Sequence, residues 1–205
     1  VVGCGFAGVE ASAACVLDVL ENAQEPVLID GGGLTATHTD EGKAALRKRF
    51  IDGYPTIITP HGGEAARILA SLDASDLEAQ RLHAEKQDVP AAAADALPIA
   101  RALGVICVLK GPADGNEESV NDVLQLTCGT PALAKAGTGD VLAGIIGSLL
   151  AQAVDPKDAC ALGVYLHARA GVLAASDSDE LCVTAEDVVA HLPKAVRGLR
   201  AKSAK

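Results

Sequence analysis

Gly137, Thr138, Gly139 and Asp140 combine a glycine-rich turn with a carboxylate, directly before the apolar segment 141–151. Glycine adopts backbone angles that let successive N–H groups point at one atom, and the N-terminus of a helix adds its positive dipole end there. The pattern therefore predicts a cradle for nucleotide phosphates, with Asp140 where a substrate hydroxyl would approach the terminal phosphoryl group. Alternatively, Asp140 is only an acidic residue of the first helical turn.

Three segments ahead of this loop carry further signals: Val27-Leu-Ile-Asp-Gly-Gly-Gly-Leu34, Ile57-Ile-Thr-Pro-His-Gly-Gly-Glu64 and Val105-Ile-Cys-Val-Leu-Lys-Gly111. Together with Gly129-Thr-Pro-Ala-Leu-Ala134 they resemble the NAD(P)H-hydrate dehydratase family over nearly the whole chain. Gly-Thr-Gly-Asp alone occurs in many small-molecule kinases of the same fold. The combination of Thr-Pro-His-x-Gly-Glu with Gly-Thr-Pro-Ala-Leu-Ala is much more particular to this family.

The resemblance implies an α/β protein with a ribokinase-like fold, a three-layer sandwich in which helices cover both faces of a mostly parallel sheet. It implies an enzyme that uses ADP or ATP, with Mg²⁺, to dehydrate the hydrated forms of NADH and NADPH back to the working cofactors. ADP is the expected donor, because bacterial members of the family favour it. The expected partners are this small-molecule substrate, the adenine nucleotide and further copies of the chain, in a tetramer by resemblance.

The resemblance also implies roles for particular residues. The residues that it places at the nucleotide are Lys110, Gly111, Gly137, Thr138 and Gly139. The residues that it places at the hydrated nicotinamide nucleotide are Gly5, His61 and Asp140, of which Asp140 is also the expected catalytic base. Related kinases hold Mg²⁺ through water near the position of Glu64, which predicts the same role here.

Ordinary structural interpretations stand beside these roles. His61 would otherwise be a solvated loop residue, Lys110 a surface residue that ends a strand, and Glu64 an acid of a first helical turn. Asp30 is interpreted as the polar end of a strand rather than as an acid of the pocket. The residues whose contact with the nucleotide the sequence does not decide are Asn121, Thr130 and Lys135.

The chemistry that the resemblance implies is phosphorylation followed by elimination. Hydroxide is a poor leaving group, so transfer of a phosphoryl group to the C6 hydroxyl of the reduced nicotinamide hydrate makes its departure easy. Asp140 would accept the hydroxyl proton, while the loop amides, Lys110 and Mg²⁺ stabilise the transferring charge. Two alternatives are a kinase for a small alcohol such as a vitamin precursor, and a regulatory nucleotide-binding protein without turnover, which intact Asp140 and Lys110 disfavour.

The first residues offer a different interpretation. Gly3-Cys-Gly5-Phe-Ala-Gly8 matches the dinucleotide pattern G-x-G-x-x-G, and Asp30 ends the next strand about twenty residues later, as a ribose-binding acid would. This predicts a Rossmann NAD-dependent oxidoreductase as an alternative. In the dehydratase family the same glycines form a turn against the hydrated nucleotide.

Apolar segments alternate with amphipathic ones, which is typical of a parallel sheet covered by helices. Strands are predicted at 27–30, 56–59, 105–109 and 123–127. Helices are predicted at 39–50, 63–72, 140–152, 156–175 and 184–191, and the basic tail is predicted to fray. The acidic, alanine-rich segment 71–95 is predicted to be a loop with part of a helix.

The composition is typical of a soluble globular protein. The 205 residues suit one domain over 1–205, whose N-terminal part we expect to be missing because the chain starts within an apparent strand. A net charge of −10 disfavours nucleic acid and anionic membranes as partners. The apolar run 141–151 is too short to span a bilayer, and no signal peptide is visible. Six cysteines without metal-ligand spacing indicate a reducing compartment, so the expected location is the cytoplasm.

Overall fold

A computed structural model of the protein describes residues 1–7, 10–72, 95–111, 118–120 and 123–203. The chain divides into two compact units, Val1–Gln125 and Leu126–Lys205. The described part of the first unit contains strands and helices, and that of the second is built from helices. The expectation of one domain over residues 1–205 stays a prediction.

The first unit contains a parallel sheet in the order β1-β2-β3, formed by β1 (Val27–Ile29), β2 (Thr56–Ile58) and β3 (Ile106–Cys107). Val2 extends the sheet through a parallel bridge to Ile29. Every residue of β1 and β2 is buried, as expected for strands with both faces covered. The α/β class with a parallel sheet is confirmed, as are the strands predicted at 27–30, 56–59 and 105–109.

The fourth predicted strand, 123–127, does not join the parallel sheet. β5 (Val123–Gln125) pairs antiparallel with β4 (Glu118–Val120), which was not predicted. Two residues of sequence separate β4 from β5. A parallel pairing of neighbouring strands needs a crossover of about a dozen residues or more, so this short connection permits only a hairpin.

In the described part of the first unit, the helical segments are α1 (Glu10–Asn22), a 3₁₀ helix (Gly31–His38), α2 (Asp40–Ile51), α3 (Gly62–Ala70) and α4 (Ala96–Leu103). The helices predicted at 39–50 and 63–72 are confirmed as α2 and α3. The 3₁₀ helix was not predicted because its three glycines indicate a loop, and neither α1 nor α4 was predicted. The segment 73–94 lies outside the described residues, and with it most of the prediction for 71–95.

Buried aliphatic side chains fill the core between the sheet and these helices, among them Leu20, Ile29, Leu46, Ile58, Ile68 and Leu103. The charged residue Arg49 of α2 is also buried, beside this core. Its Nε donates to Thr56 Oγ1 at 2.9 Å, and its Nη2 donates to Glu25 O at 2.8 Å. Further bonds reach Leu20 O and Ala23 O, so the guanidinium joins the end of α1 to the start of β2.

A cavity of about 560 Å³ opens between α1 and α2, beside Arg49 and Tyr54. It lies at the amino ends of β1 and β2, and its lining contains none of the predicted site residues. Parallel α/β proteins bind their ligands at the carboxyl ends of the strands. We therefore place the candidate site of this unit at the other end of the sheet.

The second unit contains a 3₁₀ turn (Pro131–Leu133), α5 (Thr138–Ala151), α6 (Pro156–Asp177) and α7 (Ala185–Ser203). The helices predicted at 140–152 and 156–175 are thus confirmed. Two glycines of α6 allow its neighbours to approach closely. An added Cβ at Gly163 would lie 2.5 Å from Ile146 Cγ1, and one at Gly171 would lie 2.6 Å from Leu133 Cδ2.

Within the described residues, α6 is long and apolar enough to cross a membrane when judged by length and composition alone. Half of the apolar stretch is buried within the structure. Its buried residues Leu166, Ala170 and Ala174 join a core cluster with side chains of α5 and α7. We therefore interpret α6 as the central helix of a folded unit.

The tail that was predicted to fray is helical, so this prediction is wrong. α7 continues beyond His191 to Ser203, with Pro193 in its interior. Proline removes one helical hydrogen bond and normally ends or kinks a helix. Here Val188 and Ala195 are buried on either side of Pro193, and their packing against α5 and α6 outweighs the local cost.

Asp177, at the end of α6, binds two side chains of α7. His191 lies with Nε2 3.0 Å from Asp177 Oδ2 and Nδ1 2.7 Å from Asp187 O, and Lys194 Nζ lies 3.2 Å from Asp177 Oδ2. Both ring nitrogens face acceptors, so the doubly protonated imidazolium satisfies both. The bonds to Asp187 O and then to Asp177 raise the pKa of His191 above its ordinary value of 6.5.

This raised pKa makes the contribution of His191 to stability depend on pH. A group whose pKa is higher in the folded state contributes fully below its unfolded pKa, near 6.5, and loses that contribution as pH rises through the folded value. We therefore expect His191→Gln to lower the free energy of unfolding more at about pH 5 than at about pH 9. Urea unfolding of both proteins at the two pH values measures the difference.

The free energies of unfolding of the parent and the variant must be compared at each pH, because other groups also make the stability of both proteins depend on pH. His38 has its pKa lowered by burial, and further by Arg67 and Lys43, so it acts on stability with the opposite sign. His38 is present in both proteins, so its contribution cancels when the two free energies of unfolding are subtracted. An equal loss at both pH values would contradict the proposed role of the charged imidazole.

Candidate functional site

The predicted phosphate loop leads directly into α5. Gly137 caps the helix with a φ of 85°, a left-handed conformation that favours glycine. The N–H groups of Gly139 and Asp140 lie in the first turn, where a helix provides no carbonyl for them. Together with the helix dipole they offer a local donor site for an anion, and the predicted contact of this turn with nucleotide phosphates stays a prediction.

Thr138 holds the loop together rather than presenting its hydroxyl to solvent. The residue is 3% exposed, and Oγ1 lies 2.6 Å from Leu133 O and 2.8 Å from Lys135 O. Its one hydroxyl hydrogen is donated within the loop. A contact between Thr138 and a nucleotide would therefore be expected from its backbone, and it stays a prediction.

Asp140 is exposed on the first turn of α5. At this position a carboxylate interacts favourably with the positive end of the helix dipole, as the structural interpretation expected. Its exposure also leaves it accessible to a substrate hydroxyl. The placement is compatible with both interpretations, and the difference between them must be measured through turnover.

The structure shows what the side chains of Thr130 and Lys135 bind within the protein, whereas Asn121 lies outside the described residues. Thr130 Oγ1 donates to Glu180 Oε1 at 2.7 Å. Lys135 Nζ donates to Glu180 O at 2.8 Å and to Val183 O at 2.9 Å. Both side chains tie the loop to the turn between α6 and α7, a role that the sequence did not indicate.

In the first unit, Lys110 and Asp30 form an ion pair at the carboxyl ends of the strands. Lys110 Nζ lies 2.7 Å from Asp30 Oδ1, and the side chain of Asp30 is 3% exposed. The interpretation of Asp30 as a polar strand end is thus too simple, because the buried carboxylate has a charged partner. Gly111, next to Lys110, is exposed, and an added Cβ there would meet no atom within 4 Å.

Glycines let two loops of the first unit interlock. An added Cβ at Gly3 would lie 2.2 Å from Asp30 O, and one at Gly32 would lie 2.0 Å from Phe6 O. Gly5 differs, because it has a φ of 75° but no atom within 4 Å of an added Cβ. Gly3 and Gly32 therefore serve packing, whereas the open space at Gly5 suits its predicted contact with substrate.

The Rossmann interpretation needs an acid at the end of β1 that is free to accept hydroxyls of a ribose. Asp30 is buried and paired with Lys110, so it does not fit this role. The last glycine of the G-x-G-x-x-G pattern, Gly8, lies outside the described residues. The arrangement of Asp30 thus removes the strongest support for a dinucleotide site.

His61 is the N-cap of α3, and Glu64 completes a capping box. His61 Nδ1 accepts from the N–H groups of Gly63 at 3.0 Å and Glu64 at 3.3 Å. In return, Glu64 Oε2 accepts from His61 N at 2.8 Å. The spacing of three residues matches the usual Ser/Thr-x-x-Glu capping box, which is the signal that would have predicted it. His61 is not a free loop residue, although its side chain is 56% exposed and accessible to a ligand.

The capping box bears on the predicted role of Glu64 in binding Mg²⁺. One carboxylate oxygen accepts from His61 N, and the other lies 3.5 Å from His61 Nε2. The side chain is only 15% exposed. These contacts occupy the side chain in the cap of α3, and its binding of Mg²⁺ through water stays a prediction.

Comparison with known proteins gives a consistent result. A family model described as NAD(P)H-hydrate dehydratase matches residues 1–194. The chain is 32% identical over 199 residues to the bifunctional NAD(P)H-hydrate repair enzyme Nnr of Thermofilum pendens, covering 97% of this chain and 35% of that protein. It is 34% identical over 171 residues to the ADP-dependent (S)-NAD(P)H-hydrate dehydratase of Neisseria meningitidis serogroup B, covering 83% of this chain and 53% of that protein.

A solved structure agrees with these relatives. The ADP/ATP-dependent NAD(P)H-hydrate dehydratase from Bacillus subtilis, co-crystallised with ATP/Mg²⁺, superposes with a TM-score of 0.63 at 28% identity. The match covers 94% of this chain and 61% of the solved one. The predicted ribokinase-like α/β fold is thereby confirmed. The chain spans between 35% and 61% of the lengths of these three proteins.

The capping box predicts a stability effect at His61 that is separate from any contact with substrate. Replacing His61 with Ala removes the acceptor for two helix N–H groups and should lower the free energy of unfolding by about 0.5–2 kcal/mol. His61→Asn supplies another good N-cap acceptor and should restore most of this loss. Chemical denaturation of the parent protein and both variants measures the effect.

The Asn variant also isolates the ligand role of His61, because it removes the imidazole without removing the cap. Equal destabilisation by Ala and Asn would contradict the capping interpretation. If the Asn variant is as stable as the parent and its kcat/KM is unchanged, His61 does not contact the substrate.

Proposed function

We propose the activity of this protein from one premise: the chain belongs to the NAD(P)H-hydrate dehydratase family. The protein restores NADH and NADPH from their hydrated forms, and it uses ADP or ATP as the phosphoryl donor. Both donors are named for the Bacillus subtilis structure, and ADP for the Neisseria meningitidis relative. ADP is the donor that we expect to be used more efficiently.

The observation that carries the proposal is the position of Asp140 in the first turn of α5, next to the amides that follow Gly137. These amides and the helix dipole stabilise negative charge on a phosphoryl group. The neighbouring exposed carboxylate accepts a proton from an attacking hydroxyl. A donor site and a base on the same helical turn are the two requirements of a hydroxyl phosphorylation.

The reaction proceeds in two stages. Asp140 accepts the proton of the C6 hydroxyl as its oxygen attacks the terminal phosphoryl group, whose bond to the nucleotide breaks. The lone pair of the ring nitrogen then expels inorganic phosphate by breaking the C6–O bond. Loss of a proton from C5 restores the double bond of the dihydronicotinamide. The same loop and base would serve a kinase, and elimination from the unstable ester makes the overall reaction a dehydration.

Several roles are part of the proposal through family membership rather than through geometry. They concern contacts of Gly5 and His61 with the substrate and contacts of Lys110, Gly111, Thr138 and Gly139 with the nucleotide. Mg²⁺ is proposed to accompany the nucleotide, since the Bacillus subtilis structure was co-crystallised with ATP/Mg²⁺. A cytoplasmic location and a homo-oligomeric assembly are also proposed on this basis.

The direct test is to incubate the protein with NADH hydrate, Mg²⁺ and either ADP or ATP, and to follow the recovery of NADH absorbance. Replacing Asp140 with Asn keeps the shape of the side chain but removes the proton acceptor. We expect a loss of about 10²–10⁴ in rate, the usual contribution of a general base, with nucleotide affinity nearly unchanged.

Asp158 provides a matched control, because it is an exposed acid in the first turn of α6, as Asp140 is in α5. Asp158→Asn should leave the rate unchanged. If Asp140→Asn retains activity within about tenfold of the parent, Asp140 is a structural acid and not the base. If the parent recovers no NADH with either nucleotide, the proposed function is wrong.

A further inference from the structure

Lys135 lies in the loop that connects the 3₁₀ turn Pro131–Leu133 to α5. Its ammonium donates to two carbonyl oxygens, Glu180 O at 2.8 Å and Val183 O at 2.9 Å. Both acceptors belong to the turn between α6 and α7. Hydrogen bonds from a charged donor are stronger than those between neutral groups, so they hold the loop firmly to this turn.

The turn that receives Lys135 is itself well constrained. Leu181 N donates to Asp179 Oδ1 at 2.8 Å, and the N–H groups of Cys182 and Val183 donate to Asp179 O at 2.9 and 3.2 Å. Val183 is 1% exposed and belongs to the core of the second unit. The carbonyls that bind the ammonium are therefore part of a fixed framework.

The backbone of Lys135 is hydrogen-bonded to the start of α5. Lys135 O accepts from Thr138 N at 3.4 Å and lies 2.8 Å from Thr138 Oγ1. On the other side of the loop, Leu133 sits against Gly171 of α6, where no side chain intervenes. Lys135 and Thr138, the first residue of α5, are thus held through the α6–α7 turn on one side and through Leu133 on the other.

We infer that Lys135 is a positioning residue that orients the first-turn amides of α5 and Asp140, rather than a ligand of the nucleotide phosphates. The inference rests on the proposed function and specifies how its catalytic turn is held. A lysine so close to a phosphate loop would ordinarily be assigned to the phosphates, because lysine binds them as a point charge. Here two of its three donors are already used by the α6–α7 turn.

The test separates these roles through the salt dependence of nucleotide binding. Lys135→Met removes the ammonium but keeps a long side chain, and Lys157→Met removes the same charge from the first turn of α6 as a control. A positioning role predicts that Lys135→Met lowers kcat about 10- to 100-fold, as displacement of reacting groups by about 1 Å does. It also predicts that the ratio of ADP dissociation constants at high and low KCl stays the same as in the parent, because no charge at the phosphates is lost.

A phosphate ligand predicts a different result: ADP binding by Lys135→Met becomes weaker at low salt and less sensitive to salt. That outcome, or an unchanged kcat, overturns the inference. Lys135→Arg can donate to the same carbonyls and should recover part of the lost rate. Binding is measured by calorimetry without turnover, so failure of the proposed reaction in the parent protein remains distinguishable.

A second pair of variants tests the same idea without touching a charge. Gly171→Ala displaces Leu133 next to the loop, whereas Gly163→Ala displaces Ile146 in the middle of α5, with near-identical close approaches of 2.6 and 2.5 Å. Both substitutions should lower the free energy of unfolding. When kcat is expressed per folded molecule, only Gly171→Ala should lower it. Equal kcat values in the two variants would contradict the positioning of the loop from this side.

Discussion

The second unit depends on the close packing of Gly163 and Gly171 of α6 against α5 and against the 3₁₀ turn that precedes it. Gly163 and Gly171 leave room for Ile146 and Leu133, and each position accepts little more than a hydrogen atom. The 3₁₀ turn and α5 can therefore pack directly on α6, and Asp140 is carried by a helix that is fixed at its first residues. A reacting group, the role proposed for Asp140, needs such a rigid support, since small displacements cost much of its effect.

Close approach of backbone also organises the first unit. The loop after Val2 and the 3₁₀ helix after β1 interlock through Gly3 and Gly32, and the ion pair of buried Asp30 with partly buried Lys110 lies beside them. Gly3, the first glycine of the dinucleotide pattern, thus has a packing role, as does Gly32. Gly5, with open space beside it, and Gly137, at the cap of α5, suit the ligand contacts proposed for this family.

The sequence predicted the features that depend on neighbouring residues. The apolar strands β1 and β2 and the glycine-aspartate turn before α5 all have local signals. The roles of Thr130 and Lys135 could not be predicted, because their partners lie 45 to 50 positions away and two of these are backbone carbonyls. The extension of α7 through Pro193 was missed for a related reason, since packing of distant residues overrode a local rule. The cap formed by His61 had a local signal, but with histidine in place of the usual serine or threonine.

The central claim is that the substrate hydroxyl is phosphorylated before phosphate is lost. NADH hydrate carrying ¹⁸O in its C6 hydroxyl tests this directly, because the two stages break the C6–O bond and leave that oxygen on phosphorus. The account predicts that the inorganic phosphate released with each NADH contains the label. Recovery of the label in water, with unlabelled phosphate or none, would show that the hydroxyl departs without being phosphorylated and would contradict the account.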